Sequence, residues 1–211
     1  MIRHILLIVS LVFIHMTSAL AADPVRVNNR LITSDWIPSV NKNVSKAQAD
    51  TIVRHVFTEA KRHKIDPLLL LAIIKNESTF KTSAKSGSGA RGLMQVLPRW
   101  HKDKIRGRNI NDIAVNIEVG TIIINDCLEK YNDNVNRALG CYLGGSSGKY
   151  VAKIAKTHRE LKQTLVTQMF VKEQPVTILS EFNKPRQYHA KLAEMEYEYI
   201  LARLNGDIKD I

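Results

Sequence analysis

Apolar residues fall along the chain in stretches of different spacing, and each spacing predicts an element. Ile52, Val53, Val56, Phe57 and Ala60 lie on one stripe, which predicts an amphipathic helix running to about Lys64. In front of it Ser45-Lys46-Ala47-Gln48 has the S-x-x-Q form of a capping box. Leu68 to Ile74 shows no polar position at all, and a helix apolar on every side is a buried one. Asp66-Pro67 opens it, with Asp as N-cap and Pro at the first helical position, where its missing N–H would have no partner. Polar residues return together as Lys75, Asn76 and Glu77, where the buried helix emerges. Ser83 to Gly92 is small and Gly-rich, hence a loop; Gly92 to Leu97 is expected to form one helical turn stopped by Pro98. Residues 99 to 110 are basic and irregular. Asn111 or Asp112 caps a helix carrying Asn116, Ile117, Val119, Ile123 and Leu128. A shorter helix from about Asn134 to Tyr142 ends in the turn-forming run Leu143 to Gly148, and another starts near Tyr150.

The two ends differ from this middle. MIRH is a short basic start, ILLIVSLVFI an apolar run, and Ala19-Leu20-Ala21 a small-residue cleavage signal, the three regions of a secretory leader. The run is shorter than the roughly 20 residues a bilayer span needs, which makes an uncleaved anchor the lesser alternative. The chain is therefore expected to be exported, periplasmic or secreted, with no stable membrane span. Residues 22 to 44 are polar, contain two prolines and read as an extended lead-in that Trp36 and Ile37 pin to the domain. From about Thr157 the chain reads as a helical extension. One stretch carries Leu161, Leu165 and Met169, Pro175 and Pro185 punctuate a loop, and a last helix carries Tyr188, Leu192, Met195 and Tyr199. The extension leaves open whether it packs over the domain or meets an envelope or secretion-machinery protein. No strand pattern persists, so the fold class is all-α.

Composition adds limits. Hydrophobic residues make up 45% of 211, ordinary for a globular chain. The formal charge is +11; only Arg3 of the basic residues lies in the leader, leaving 30 basic against 20 acidic, or +10. That surface attracts polyanions, or is simply solvated. Nucleic acid is disfavoured by export and by the lack of zinc-finger or RNP-like spacing; anionic envelope polymers or lipid head groups suit better. Five of seven His lie outside the leader, scattered without ligand spacing, so neither a metal nor another cofactor is expected. In an oxidising compartment Cys127 and Cys141, on two helices joined by a short turn, are a candidate disulfide, with two buried thiols as the alternative.

The chemistry centres on Glu77. A carboxyl at the end of a buried apolar helix loses hydration, which raises its pKa and keeps it able to donate a proton near neutrality. By itself a Glu at a helix end is more often a solvated surface charge. Its neighbours change that reading. I-D-P-L-L-L-L-A-I-I-K-N-E-S-T-F followed by A-K-S-G-S-G-A-R-G-L-M-Q-V-L-P resembles the family 23 lytic transglycosylase domain of bacteria, which has the goose-type lysozyme fold. Glu77-Ser78, Ser86 nine residues after the Glu, Gly92-Leu93-Met94-Gln95, Asn116-Ile117 with Gly120, and Tyr150-Val151 follow its blocks in order, over roughly residues 50 to 155.

With the leader 1–21, lead-in 22–44 and helical extension 157–211 read above, the resemblance implies a lysozyme-like domain at 45–156. It implies an enzyme that cuts peptidoglycan strands between N-acetylmuramic acid and N-acetylglucosamine, with Glu77 as sole acid/base and 1,6-anhydro-muramyl ends as product. Ser86 and Gln95 would hydrogen-bond the sugar, Gly92 would let backbone approach it, and Met94 would line the groove. Tyr142 would hydrogen-bond Glu77. Asn116 and Gly120 would be structural. Most glycosidases need two carboxylates; Asp103, Asp112 and Asp126 read instead as caps or surface charges. One position departs from the pattern: Leu143 stands where the family has Asn, and Leu makes no hydrogen bond. A water-using muramidase of the same fold and a non-catalytic peptidoglycan-binding assembly protein are the competing readings.

Overall fold

The computed structural model of the protein describes residues 24–145 and 148–173. The leader and the C-terminal stretch with its Tyr188–Tyr199 stripe and expected partner lie outside the described residues. The first element corrects the sequence reading: α1 spans Pro24–Val40 and is a helix rather than an extended lead-in. Ile32 with Trp36, and Thr33 with Ile37, are i,i+4 pairs, so one face does repeat; Ile32, Thr33 and Ile37 are buried. The repeat is hard to see among Asn, Ser and Thr. Pro24 opens the helix, where its missing N–H costs nothing, and Pro38 falls in the last turn. Trp36 does pin α1 down: its ring meets Phe80 edge-on at 5.6 Å, and Lys75 Nζ lies 5.7 Å from its centroid.

The next helices follow their caps. α2 (Lys46–His63) starts where Ser45 Oγ accepts from Gln48 N–H. Only this half of the capping box forms, because Gln48 Nε2 donates to Thr82 Oγ1 instead. α3 (Pro67–Ser78) starts where Asp66 Oδ1 accepts from Leu68 N–H at 2.8 Å. Leu68 to Ile74 are all buried. Each large side chain so buried stabilises the fold by roughly 1.5–3 kcal/mol, enough to hold a rigid helix under one partly buried carboxyl. α3 ends at Thr79, left-handed at φ 49°, whose carbonyl accepts from Asn41 Nδ2 at 2.8 Å.

The stretch expected to be a helical turn from Gly92 to Leu97 is a non-helical turn. Arg91 and Val96 exchange backbone hydrogen bonds at 2.8 and 3.0 Å. Gly92 (φ 72°) and Gln95 (φ 48°) are both left-handed, which no α-helical turn tolerates. Within the basic segment a single turn, α4 (Lys102–Ile105), forms. α5 (Ile113–Lys130) is capped by Asp112, and α6 (Val135–Leu143) by Asn134.

α7 runs across the expected domain boundary. It runs unbroken over Gly148–Glu173, through the point at Thr157 where an extension was expected to begin. Leu161 and Leu165 are buried in the same core as Ile154 and the α3 leucines, so this part of the chain packs with the domain. The packing is α1 on α2, α2 on α5, α5 on α6, and α3 on α7. Cys127 on α5 and Cys141 on α6 are disulfide-bonded, with Cα atoms 5.9 Å apart. Apart from two isolated bridges, the described residues contain no strand.

Candidate active site

Glu77 sits in the last turn of α3, partly buried. Three consecutive side chains there reach α7. Lys75 Nζ donates to Glu160 Oε2 at 3.0 Å, Asn76 Nδ2 to Thr157 Oγ1 at 3.0 Å, and Glu77 Oε1 accepts from Tyr150 Oη at 2.6 Å. At the other end of α3, His158 Nε2 donates to the second oxygen of Asp66 at 2.7 Å, both side chains buried. α7 thus braces α3 at both ends.

Burial pushes the Glu77 carboxyl above its ordinary value, and the Tyr150 hydrogen bond, which favours the charged form, opposes the rise. Burial and the charge of Glu77 together push the hydroxyls of Tyr142 and Tyr150 up, so both remain protonated donors. The carboxyl is thus biased towards its protonated form and still held in one orientation.

The partner of Glu77 is a correction. Tyr142 was expected there, but its hydroxyl donates to Met94 O at 2.7 Å. Tyr150 makes the contact with Glu77 instead. The two tyrosines are eight residues apart on either side of a glycine-rich turn, and sequence alone does not show which one faces the carboxyl. Tyr142 instead ties the end of α6 to the Gly92–Val96 turn.

Two more residues change role. Met94 is fully buried rather than lining a groove. A Cβ on Gly120 would lie 2.4 Å from Met94 Sδ, so the glycine exists to admit that side chain. A Cβ on Gly92 would lie 2.2 Å from Asn116 Nδ2, so the bare backbone there makes room for Asn116. Asn116 is the buried fastener of the turn. Its Oδ1 accepts from Met94 N–H at 2.8 Å, and its Nδ2 donates to Arg91 O at 3.0 Å and Ile110 O at 2.9 Å.

Ser86 and Gln95 are partly exposed. Ser86 Oγ accepts from Ala90 N–H and bonds Ser88 Oγ at 2.8 Å. Gln95 Nε2 donates to Gly92 O at 3.0 Å. The other acids are engaged elsewhere: Asp112 caps α5, and Lys104 pairs with Asp103 and Asp126. Leu143 is exposed at the end of α6. The turn beyond it closes on Gly144 (φ 80°), with Gly144 N–H on Cys141 O and Gly145 N–H on Gly140 O, so its shape needs no Asn at 143.

Residues 54–165, more than half of the chain, match the family model described as the transglycosylase SLT domain. The chain belongs to that family. The match runs past Thr157 to Leu165, in agreement with the unbroken α7. The SLT chain is 35% identical over 86 residues to a transglycosylase of Enterobacteria phage PRD1, covering 41% of this chain and 32% of the relative. It is 30% identical over 135 residues to the membrane-bound lytic murein transglycosylase C of Haemophilus ducreyi, covering 57% of this chain and 36% of that one. It spans about a third of the length of these curated relatives. An inactive mutant of the lytic transglycosylase Slt from Pseudomonas aeruginosa superposes with a TM-score of 0.42 at 24% identity, over 53% of this chain and 22% of that one. Among the described residues no helix is long and apolar enough to cross a membrane.

Proposed function

We propose that the protein is a peptidoglycan lytic transglycosylase in which Glu77 is the single acid/base. The observation that carries this is one partly buried carboxyl, biased towards its protonated form and oriented by Tyr150, while Asp103, Asp112 and Asp126 are occupied as a cap and as partners of Lys104. Glu77 gives its proton to the oxygen linking muramyl C1 to the next sugar, and that C–O bond breaks. The muramyl 6-hydroxyl oxygen then bonds C1, and its proton returns to the Glu77 carboxylate. No water is consumed, and the sugar's own acetamido group stabilises the cation. Ser86 and Gln95, at the exposed edge of the turn system, hydrogen-bond substrate. The disulfide and the leader sequence support export to the periplasm or beyond.

The test is digestion of purified peptidoglycan by the chain from residue 22 onward, read by mass spectrometry, beside Glu77→Gln. Products with 1,6-anhydro-muramyl ends are expected, with the variant down by at least about 10²-fold, the scale of a lost general acid. Reducing muramyl ends would make the protein a muramidase. No cleavage by a folded protein that still sediments with peptidoglycan would make it a binding protein.

A further inference from the structure

Trp100 is the most exposed large hydrophobic among the described residues, at 69%. A lone exposed apolar residue is ordinary on a protein surface, but this one has particular company. The segment from Arg99 to Arg108 reads RWHKDKIRGR. Lys104 and Arg108 are paired, with Asp126 and Glu118. Arg99, Lys102 and Arg106 are exposed and form no ion pair with a described residue. The Arg99 guanidinium lies 5.4 Å from the Trp100 ring centroid. The backbone under the ring is fixed, because Trp100 N–H donates to Leu97 O at 3.1 Å and His101 N–H to Pro98 O at 3.4 Å. The aromatic side chain is therefore presented from a fixed backbone, beside exposed cations that pair with no described carboxylate.

Position narrows the partner. Trp100 follows Met94 by six residues, which an extended chain spans in about 20 Å at most. Met94 O is held by Tyr142, a hydroxyl that feels the charge of Glu77. The patch is therefore within reach of a long polymer bound at Glu77. A lipid surface fits less well. Interfacial anchoring takes a broad apolar helix face, whereas α4 has four residues and its Ile105 is buried.

We infer that Arg99–Arg106 is a second contact for the peptidoglycan polymer, outside the cleavage site. Trp100 stacks on a sugar face, and Arg99, Lys102 and Arg106 meet the carboxylates of the peptide stems. This rests on the function proposed above in its substrate, not in its chemistry.

Binding of the full chain to insoluble peptidoglycan tests it in a Glu77→Gln background, so that nothing is cut. Adding Trp100→Ala is expected to weaken sedimentation about tenfold. Trp100→Phe should restore most of the binding, and Lys102→Glu with Arg106→Glu should weaken it and flatten its salt dependence. Thermal midpoints should stay within a degree or two, since the side chains are exposed. Unchanged binding on Trp100→Ala overturns the inference. So does a loss seen only on phosphatidylglycerol vesicles, which would make the patch a membrane contact. The two proposals fail separately: a wild type that cleaves while binding ignores Trp100 refutes only the patch. A wild type that never cleaves, yet binds through Trp100, refutes only the catalysis.

Discussion

At Glu77 two opposing effects meet on one carboxyl. Burial favours the neutral acid, and the 2.6 Å hydrogen bond from Tyr150 favours the anion, with burial the larger. Tyr150→Phe removes only the second. The carboxyl pKa should then rise further, because the charged form loses its donor. The alkaline limb of the kcat/KM profile, which reports loss of the Glu77 proton, should move to higher pH. The rate at the optimum should nevertheless fall, by about 10- to 100-fold, because an unheld carboxyl samples unproductive orientations. A pH–rate profile on peptidoglycan checks both. An alkaline limb that stays in place or moves down would show that Tyr150 does not contact the ionising group. The place of Glu77 at the polar end of a helix apolar all round was legible in the sequence; its expected role came from the family resemblance. Its partner was not legible, because Tyr142 and Tyr150 flank the same glycine-rich turn.

At the scale of elements, the Gly92–Val96 turn is held by a side chain from another helix. Asn116 on α5, itself buried, satisfies Met94 N–H, Arg91 O and Ile110 O. Asn116→Ala strands these groups, each of which costs roughly 1–3 kcal/mol when buried without a partner. With partial relaxation the expected loss is about 3 kcal/mol, read from the urea midpoint. Activity should fall as well, since Gln95 rides on this turn. A loss under about 1 kcal/mol would mean the turn holds itself. Helix starts were legible because caps are local: Ser45, Asp66, Asp112 and Asn134 all accept from the first turn of the helix they precede. The turn was not, because its form depends on Asn116, which lies 25 residues beyond Arg91. Gly92 and Gly120 were visible as glycines, but what each makes room for is set by packing across the fold. α1 was missed because its repeat is carried partly by Thr33, a buried polar residue that a hydrophobic pattern does not count.

For the whole molecule, the question is where the folding unit ends. The boundary was expected near residue 156, where the family resemblance ends and the polar run Thr157 to Glu160 begins. Those polar residues are the ones α3 uses. Thr157 receives Asn76, Glu160 receives Lys75, and His158 pairs with buried Asp66. Ending the chain at Lys156 would leave the Asp66 carboxylate buried without its imidazole, worth about 1–3 kcal/mol or more for a charged group. It would also remove Leu161 and Leu165, at roughly 1.5–3 kcal/mol each. Together these approach the 5–15 kcal/mol that hold an ordinary domain folded. A chain of residues 22–156 should therefore show no cooperative thermal transition, while 22–173 should melt as one unit and keep its activity on peptidoglycan. A cooperative melt of 22–156 near that of 22–173 would mean α7 beyond Thr157 is an appendage after all. The catalytic consequence would separate in the same experiment. Lys75 and Asn76 lose their anchors in the shorter chain, so even a folded remnant should hold Glu77 less firmly and cleave more slowly than 22–173.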